Sequence, residues 1–250
     1  MVSKNIFIFI FIFAALNVRA DEIIIGVEDD AAPWSYKDGS GFANDVVRLT
    51  FKAVGTVVKF DVYPYARCKF QAEKGGRVAC LTSSRTTETE QTLMFPKNSL
   101  LNVQNILFVR KNSANKTCDI SKWPKPLHVI YTNEYEYVEK FGQYIKKGII
   151  SGIKVNTESQ GLVMLQRKRA DAVIINVDEV KTINYVLNRA GIKESVAIGC
   201  DLGVLKGYLA FSKKNSKSLE AMEKFDRGFE IIKKNGELKK LQLLWRKLAI

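Results

Sequence analysis

Residues 65–91 read YARCKFQAEKGGRVACLTSSRTTETEQ, and this stretch decides how the rest of the chain is parsed. A helix-period segment from Tyr65 breaks at Gly75-Gly76, and a short apolar strand runs from Val78 to Leu81. A polar loop follows, with hydroxyl residues around one arginine: Thr82, Ser83, Ser84, Arg85 and Thr86. Small hydroxyls leaving a buried strand gather backbone N–H groups and short donors at one point, which suits an anionic or polar small molecule. The same residues would serve equally as helix caps.

Working back from Tyr65, DEIIIGV (21–27) reads as a first strand, apolar enough to be buried on both faces. Acidic Glu28-Asp29-Asp30 and aromatic Trp34-Ser35-Tyr36 follow at its carboxyl end, the edge where open parallel sheets bind ligands. Phe42, Val46, Leu49 and Ala53 recur at helical spacing, and Val57 to Val62 is a second strand. Strand, helix, strand, helix, strand predicts a parallel α/β sheet.

Working forward, the grammar repeats. Strands are expected at Leu101–Arg110, Leu127–Tyr131, Ile153–Val155 and Asp171–Asn176. Between them lie helices carrying Val138, Phe141 and Ile145, then Leu162 and Leu165, then Val180, Ile183 and Leu187. Thr157 and Gln160 have the spacing of a capping box. Two amphipathic helices close the chain, lined by Leu219, Met222, Phe225, Phe229 and Ile232, and after Gly236 by Leu238, Leu241, Trp245 and Leu248.

The first twenty residues have the grammar of a signal peptide. Lys4 precedes an apolar run too short to span a bilayer, and Val18-Arg19-Ala20 offers small residues at a cleavage site. No cysteine follows that run, so a lipid anchor is not expected, and no later segment reads as a membrane span. Without Lys4 and Arg19 there remain 37 basic and 26 acidic residues, a net charge of +11. That balance favours anionic partners at long range. The lysines are spread over amphipathic segments, with no basic run interleaved with aromatics, so nucleic acid is not an expected partner. Four cysteines in an exported chain predict two disulfides among three connectivities. Cys68 and Cys80 fall on the helix and strand of the opening stretch. The single histidine, His128, reads as a packed strand residue, and neither a zinc-type cluster nor a cofactor motif is present.

Trp34-Ser35-Tyr36, Gly41-Phe42-x-x-Asp45, Tyr65-x-Arg67, the Gly75 turn and Ser84-Arg85-Thr86-x-Glu88 occur in one order. In that order and spacing they resemble the first lobe of the family 3 extracellular solute-binding proteins, the receptors of polar amino acid ABC transporters. Each motif is weak alone; their succession is specific. Gly207-Tyr208-Leu209-Ala210-Phe211-Ser212 resembles the family's strand that re-enters lobe one, and the two closing helices resemble its ending.

The resemblance implies a two-lobed α/β periplasmic-binding fold of type 2, each lobe a mainly parallel sheet flanked by helices, with a two-strand hinge. Lobe one would comprise residues 21–110 plus 206–250, and lobe two 111–205. Crossings near 110 and 205 put Cys118 and Cys200 in one lobe beside the hinge, hence a pair. The Asn115-Lys116-Thr117 sequon would matter only in a eukaryotic secretory pathway, whereas the resemblance points to bacteria. The cleft lining implied is Trp34, Tyr65, Arg67, Ser83, Ser84 and Arg85 from lobe one, and Asn133, Glu134 and Asn176 from lobe two. Arg67 has an equally natural place in a structural ion pair.

Relatives that bind α-amino acids hold the carboxylate with an arginine after the Thr-x-Glu segment and the ammonium with an aspartate after the Asp-Ala strand. This chain has Thr89 and Asn176 there. A buried charge without a counter-charge costs several kcal/mol, so Arg85, Asp178 or Glu134 would have to substitute. The expectation is a monomeric, non-catalytic periplasmic protein that hands a small polar solute to an ABC permease in the inner membrane. Two other readings stand beside it: a dehydratase-like enzyme using Glu28, Asp29, Asp30 or Glu134, and a sensor or accessory protein without a transport role.

Overall fold

The first apolar run starts the fold: in β1 (Ile23–Glu28) Ile23, Ile25 and Val27 lay one face on a core, and on the other face Gly26 and Glu28 are buried while Ile24 is exposed, so the expected burial of both faces fails at Ile24. The structure, a computed structural model, describes residues 22–113, 118–124 and 126–249. After β1 come the short strands β2 (Asp30–Ala31) and β3 (Ser35–Tyr36), α1 (Phe42–Lys52), β4 (Val58–Tyr63), α2 (Tyr65–Glu73) and β5 (Ala79–Ser84). The two-residue β6 (Leu93–Met94) and the long β7 (Leu101–Arg110) follow. Next are β8 (Leu127–Thr132), α3 (Glu139–Lys146), β9 (Ile150–Val155), α4 (Glu158–Gln166), β10 (Ala172–Val177) and α5 (Ile183–Arg189). The 17-residue β11 (Val196–Ser212) and helices α6 (Ser218–Lys234) and α7 (Glu237–Leu248) complete the order.

The strands lie in the order β4-β1-β5-β11-β7-β10-β8-β9, with β6 also on β11. β1 is parallel to β4 and β5, and β8 is parallel to β9 and β10; β7 and β11 run antiparallel to their neighbours. Those two long strands carry the sheet from one lobe into the other. β11 slips register on β7 between Ile198 and Cys200 and again between Asp201 and Val204. Such bulges bend a strand and raise its twist, which curls the sheet between the lobes.

Each lobe has its own core. Phe42, Phe51, Phe211 and Phe225 centre the first, where α1 and α6 cover the sheet. The second lobe packs both sheet faces, with Phe108, Ile130, Leu165 and Ile175 on one and Leu107, Val129, Phe141 and Ile174 on the other. Gly228 lets α6 approach α1 closely: a Cβ there would collide with the Thr50 carbonyl oxygen.

Three sequence expectations change. Thr82, Ser83 and Ser84 belong to β5 rather than a loop, because β11 pairs with them at Tyr208 and Gly207. Val180 is not on the helix after β10: Asp178 accepts the N–H groups of Val180 (2.8 Å) and Lys181 (2.6 Å), and the resulting turn delays α5 to Ile183 with Thr182 as its cap. Val180 instead enters the core of the first lobe. His128 is exposed, because Leu127 and Val129 take the inward face of β8. The capping box forms as expected, with Thr157 Oγ1 accepting from Gln160 N at 3.2 Å. Cys68 joins Cys80 and Cys118 joins Cys200. The signal peptide, residues 1–20, and the sequon at 115–117 lie outside the described residues.

Candidate ligand-binding cleft

The carboxyl ends of β1 and β5 meet the start of α2 at the junction with the second lobe, and charged groups concentrate there. Tyr65 is the first residue of α2. Its hydroxyl donates to Glu136 Oε2 at 2.7 Å and is hydrogen-bonded to Ser83 Oγ at 3.1 Å. The Ser84 N–H donates to the same Glu136 oxygen at 3.0 Å, and Lys69 Nζ lies 2.9 Å from Oε1. Two hydrogen-bond donors and one ammonium of the first lobe thus converge on one carboxylate of the second, the ammonium as an ion pair that leaves Oε1 without a hydrogen bond of ordinary geometry. Burial disfavours the Lys69 charge, but the Glu136 carboxylate outweighs it and holds the ammonium pKa above its ordinary value.

Beside this group, the Tyr135 hydroxyl donates to Glu28 at the end of β1, and the Tyr135 ring meets that of Tyr65 edge-on with centroids 5.0 Å apart. Glu28 is only 4% exposed. Burial pushes its carboxyl up to about 8; the Tyr135 hydrogen bond and the Lys181 charge pull the other way, and Glu158 and Asp29 add to the rise. Burial also raises the phenols of Tyr65 and Tyr135 well above their usual value.

Deeper, Lys181 pairs with Glu158 and sets its ammonium 4.4 Å from the centroid of the Trp34 ring. The Trp34 indole N–H approaches the Asp178 carboxylate without completing a hydrogen bond of ordinary geometry. Burial raises the Asp178 carboxyl, against the backbone N–H of Lys181. Asn176 is held at two atoms: its Oδ1 accepts from Asn105 Nδ2 at 2.8 Å and its backbone N–H donates to Glu158 at 2.7 Å. Further contacts tie the lobes at the rim, including Tyr36 to Tyr185 (3.2 Å), Asp30 to Arg189 (3.5 Å) and Glu179 to Gln242 (2.9 Å) and Arg246.

The structure therefore brings Trp34, Tyr65, Ser83, Ser84 and Asn176 to the junction. Arg67 is exposed, with its guanidinium over the Tyr63 ring, and Arg85 is exposed over Phe95 and Tyr208, donating to the Phe95 and Pro96 carbonyls. Asn133 is half-buried and its N–H donates to the Val155 carbonyl; Glu134 is exposed in a left-handed conformation, φ 63°. Glu136, Lys69, Glu158, Lys181 and Tyr135 were not anticipated. A signal for Lys69 existed, because it shares the stripe of Tyr65, Cys68 and Ala72 on α2 and so must be buried with a partner. Glu136 had no such signal, since the turn at Glu134 decides which side it faces.

Two α/β lobes joined by two long strands, with polar side chains meeting between them, define the type 2 periplasmic-binding fold. The chain belongs to the bacterial extracellular solute-binding proteins, family 3, which it matches over residues 23–247. No curated protein matches the sequence. Among solved structures, it is similar to an ABC uptake transporter substrate binding protein from Streptococcus pneumoniae with bound histidine (19% identity, TM-score 0.75, covering 90% of this chain and 92% of that one). It is similar also to an ancestral amino acid-binding protein, a precursor of cyclohexadienyl dehydratase (18%, 0.70, 90% and 94%). A histidine kinase sensor domain with similarity to periplasmic binding proteins aligns as well (15%, 0.77, 91% and 96%). At these identities the likeness is one of fold. No helix among the described residues is long and apolar enough to cross a membrane.

Proposed function

We propose that this protein is a periplasmic receptor that captures a small polar solute between its lobes and delivers it, as a monomer and without chemical turnover, to the permease of an ABC importer. The observation that carries this reading is the seat made by Ser84 N–H, Tyr65 O–H and Lys69, which holds a carboxylate between the lobes. The positions that anchor an α-amino acid in relatives are otherwise employed. Thr89 Oγ1 donates to the Ser84 carbonyl at 2.8 Å, and Asn176 is held by Asn105 and Glu158. This supports a solute other than a standard α-amino acid. The test is a thermal-shift screen of amino acids, amines, organic acids and short peptides. A solute at 100 times its Kd stabilises by about 2.7 kcal/mol; no shift across the screen overturns the reading.

One observation favours a second reading. Glu28 is a buried carboxyl held protonated to about pH 8 beside Tyr135, the state required of a proton donor. Turnover of prephenate or arogenate, lost in Glu28→Gln, would replace capture with dehydratase chemistry.

A further inference from the structure

Glu136 reaches from the second lobe into the first with its side chain 8% exposed, and every partner it has there is a donor of the first lobe. Lys69 is the charged member of that set. It lies on the inward stripe of α2, 10% exposed; Glu73 and Glu134 add to the negative field around it, but Glu136 makes the contact. A buried ammonium needs a counter-charge, so any closed arrangement of these lobes must place one negative charge beside Lys69. Glu136 supplies it here. A solute carboxylate can supply it instead, but not as well, because the seat offers one Ser84 N–H and one Tyr65 O–H.

We infer that Glu136 is a tethered stand-in for the anionic group of the solute: the solute carries a carboxylate, which takes the seat of Ser84, Tyr65 and Lys69 as Glu136 leaves it. This rests on the capture reading above and adds to it a ligand class and a competitor built into the chain. Glu136 then contributes one of the resting contacts between the lobes and sets the selectivity for anions.

The probe is acetate, which matches the carboxylate end removed in Glu136→Ala. Acetate should stabilise Glu136→Ala saturably and bind it roughly 100-fold more tightly than the wild type, since affinity falls by the fraction of time the seat is free. Adding Lys69→Met should abolish the gain. Equal response in wild type and Glu136→Ala, or none in either, overturns the inference. Should Glu136→Ala not fold, Glu136→Gln keeps the shape and loses the charge; solution X-ray scattering should give it a larger radius of gyration than the wild type, and an unchanged value overturns the inference. A solute screen negative on the wild type beside a positive acetate response in Glu136→Ala overturns the capture reading, and with it the solute that Glu136 would stand in for, and leaves Ser84, Tyr65 and Lys69 as an anion seat filled by Glu136.

Discussion

The ammonium of Lys181 lies 4.4 Å from the centroid of the Trp34 ring, a contact between the lobes, while Glu158 neutralises it from α4. Both ionic side chains are nearly buried, at 4% and 9% exposure. Removing one partner leaves an uncompensated charge, so Lys181→Met should lose about 3–5 kcal/mol. Adding Glu158→Gln, which keeps an acceptor for the Asn176 N–H, should restore part of that loss. Denaturant melts of the wild type, both single variants and the double variant check it; a double variant no more stable than Lys181→Met contradicts it.

Glu28 makes stability fall as pH rises. Its carboxyl titrates near 8 in the folded protein against the ordinary 4.5, so between those values the folded state holds one proton more than the unfolded. The contribution is fully present below about pH 4.5 and gone above about pH 8, a span of up to about 5 kcal/mol. Melts at pH 5 and pH 8 should show the wild type losing stability relative to Glu28→Gln.

The two disulfides should differ in worth. Cys118 and Cys200 close a separation of 82 residues and Cys68 and Cys80 one of 12. Loop-closure entropy gives about 4.5 kcal/mol for the first and about 3 kcal/mol for the second. Paired cysteine-to-alanine variants, compared by chemical denaturation, should rank in that order.

Gly228→Ala should destabilise by about 1–3 kcal/mol, the usual cost of overpacking, because the added methyl meets the Thr50 carbonyl and drives α6 from α1. Ala substitution normally favours a helix interior, so an unchanged or raised Tm would show that the helices can separate freely.

The individual elements were legible because apolar runs such as Leu127–Tyr131 and 3.6-period stripes such as Phe42, Val46 and Leu49 each specify an element locally, while their division into two lobes came from the family resemblance. The pairing of Cys118 with Cys200 came from the lobe crossings that the family resemblance implies. The limits of legibility are physical. Val180 continues an apolar stripe with Ile183 and Leu187, and only the Asp178 turn, which satisfies two N–H groups by a side chain, sends it elsewhere. Ser83 and Ser84 read as loop because their polarity argued against a strand, yet β11 pairs with them in the sheet interior. At the junction between the lobes, Trp34, Tyr65 and Ser84 could be named from their place at strand ends. Glu136 and Lys181 could not, because each is defined by a contact with a segment far away in sequence.

Val180 joins the apolar core that centres on Phe42, Phe51, Phe211 and Phe225, with no exposure to water. Prising the jaws apart would wet that side chain, at about 1.5 kcal/mol or more. On the capture reading it is a detent built into the chain, so a visitor need not generate the whole clamping force. Anything trapped inside lingers longer in proportion, about tenfold for every 1.4 kcal/mol the detent supplies.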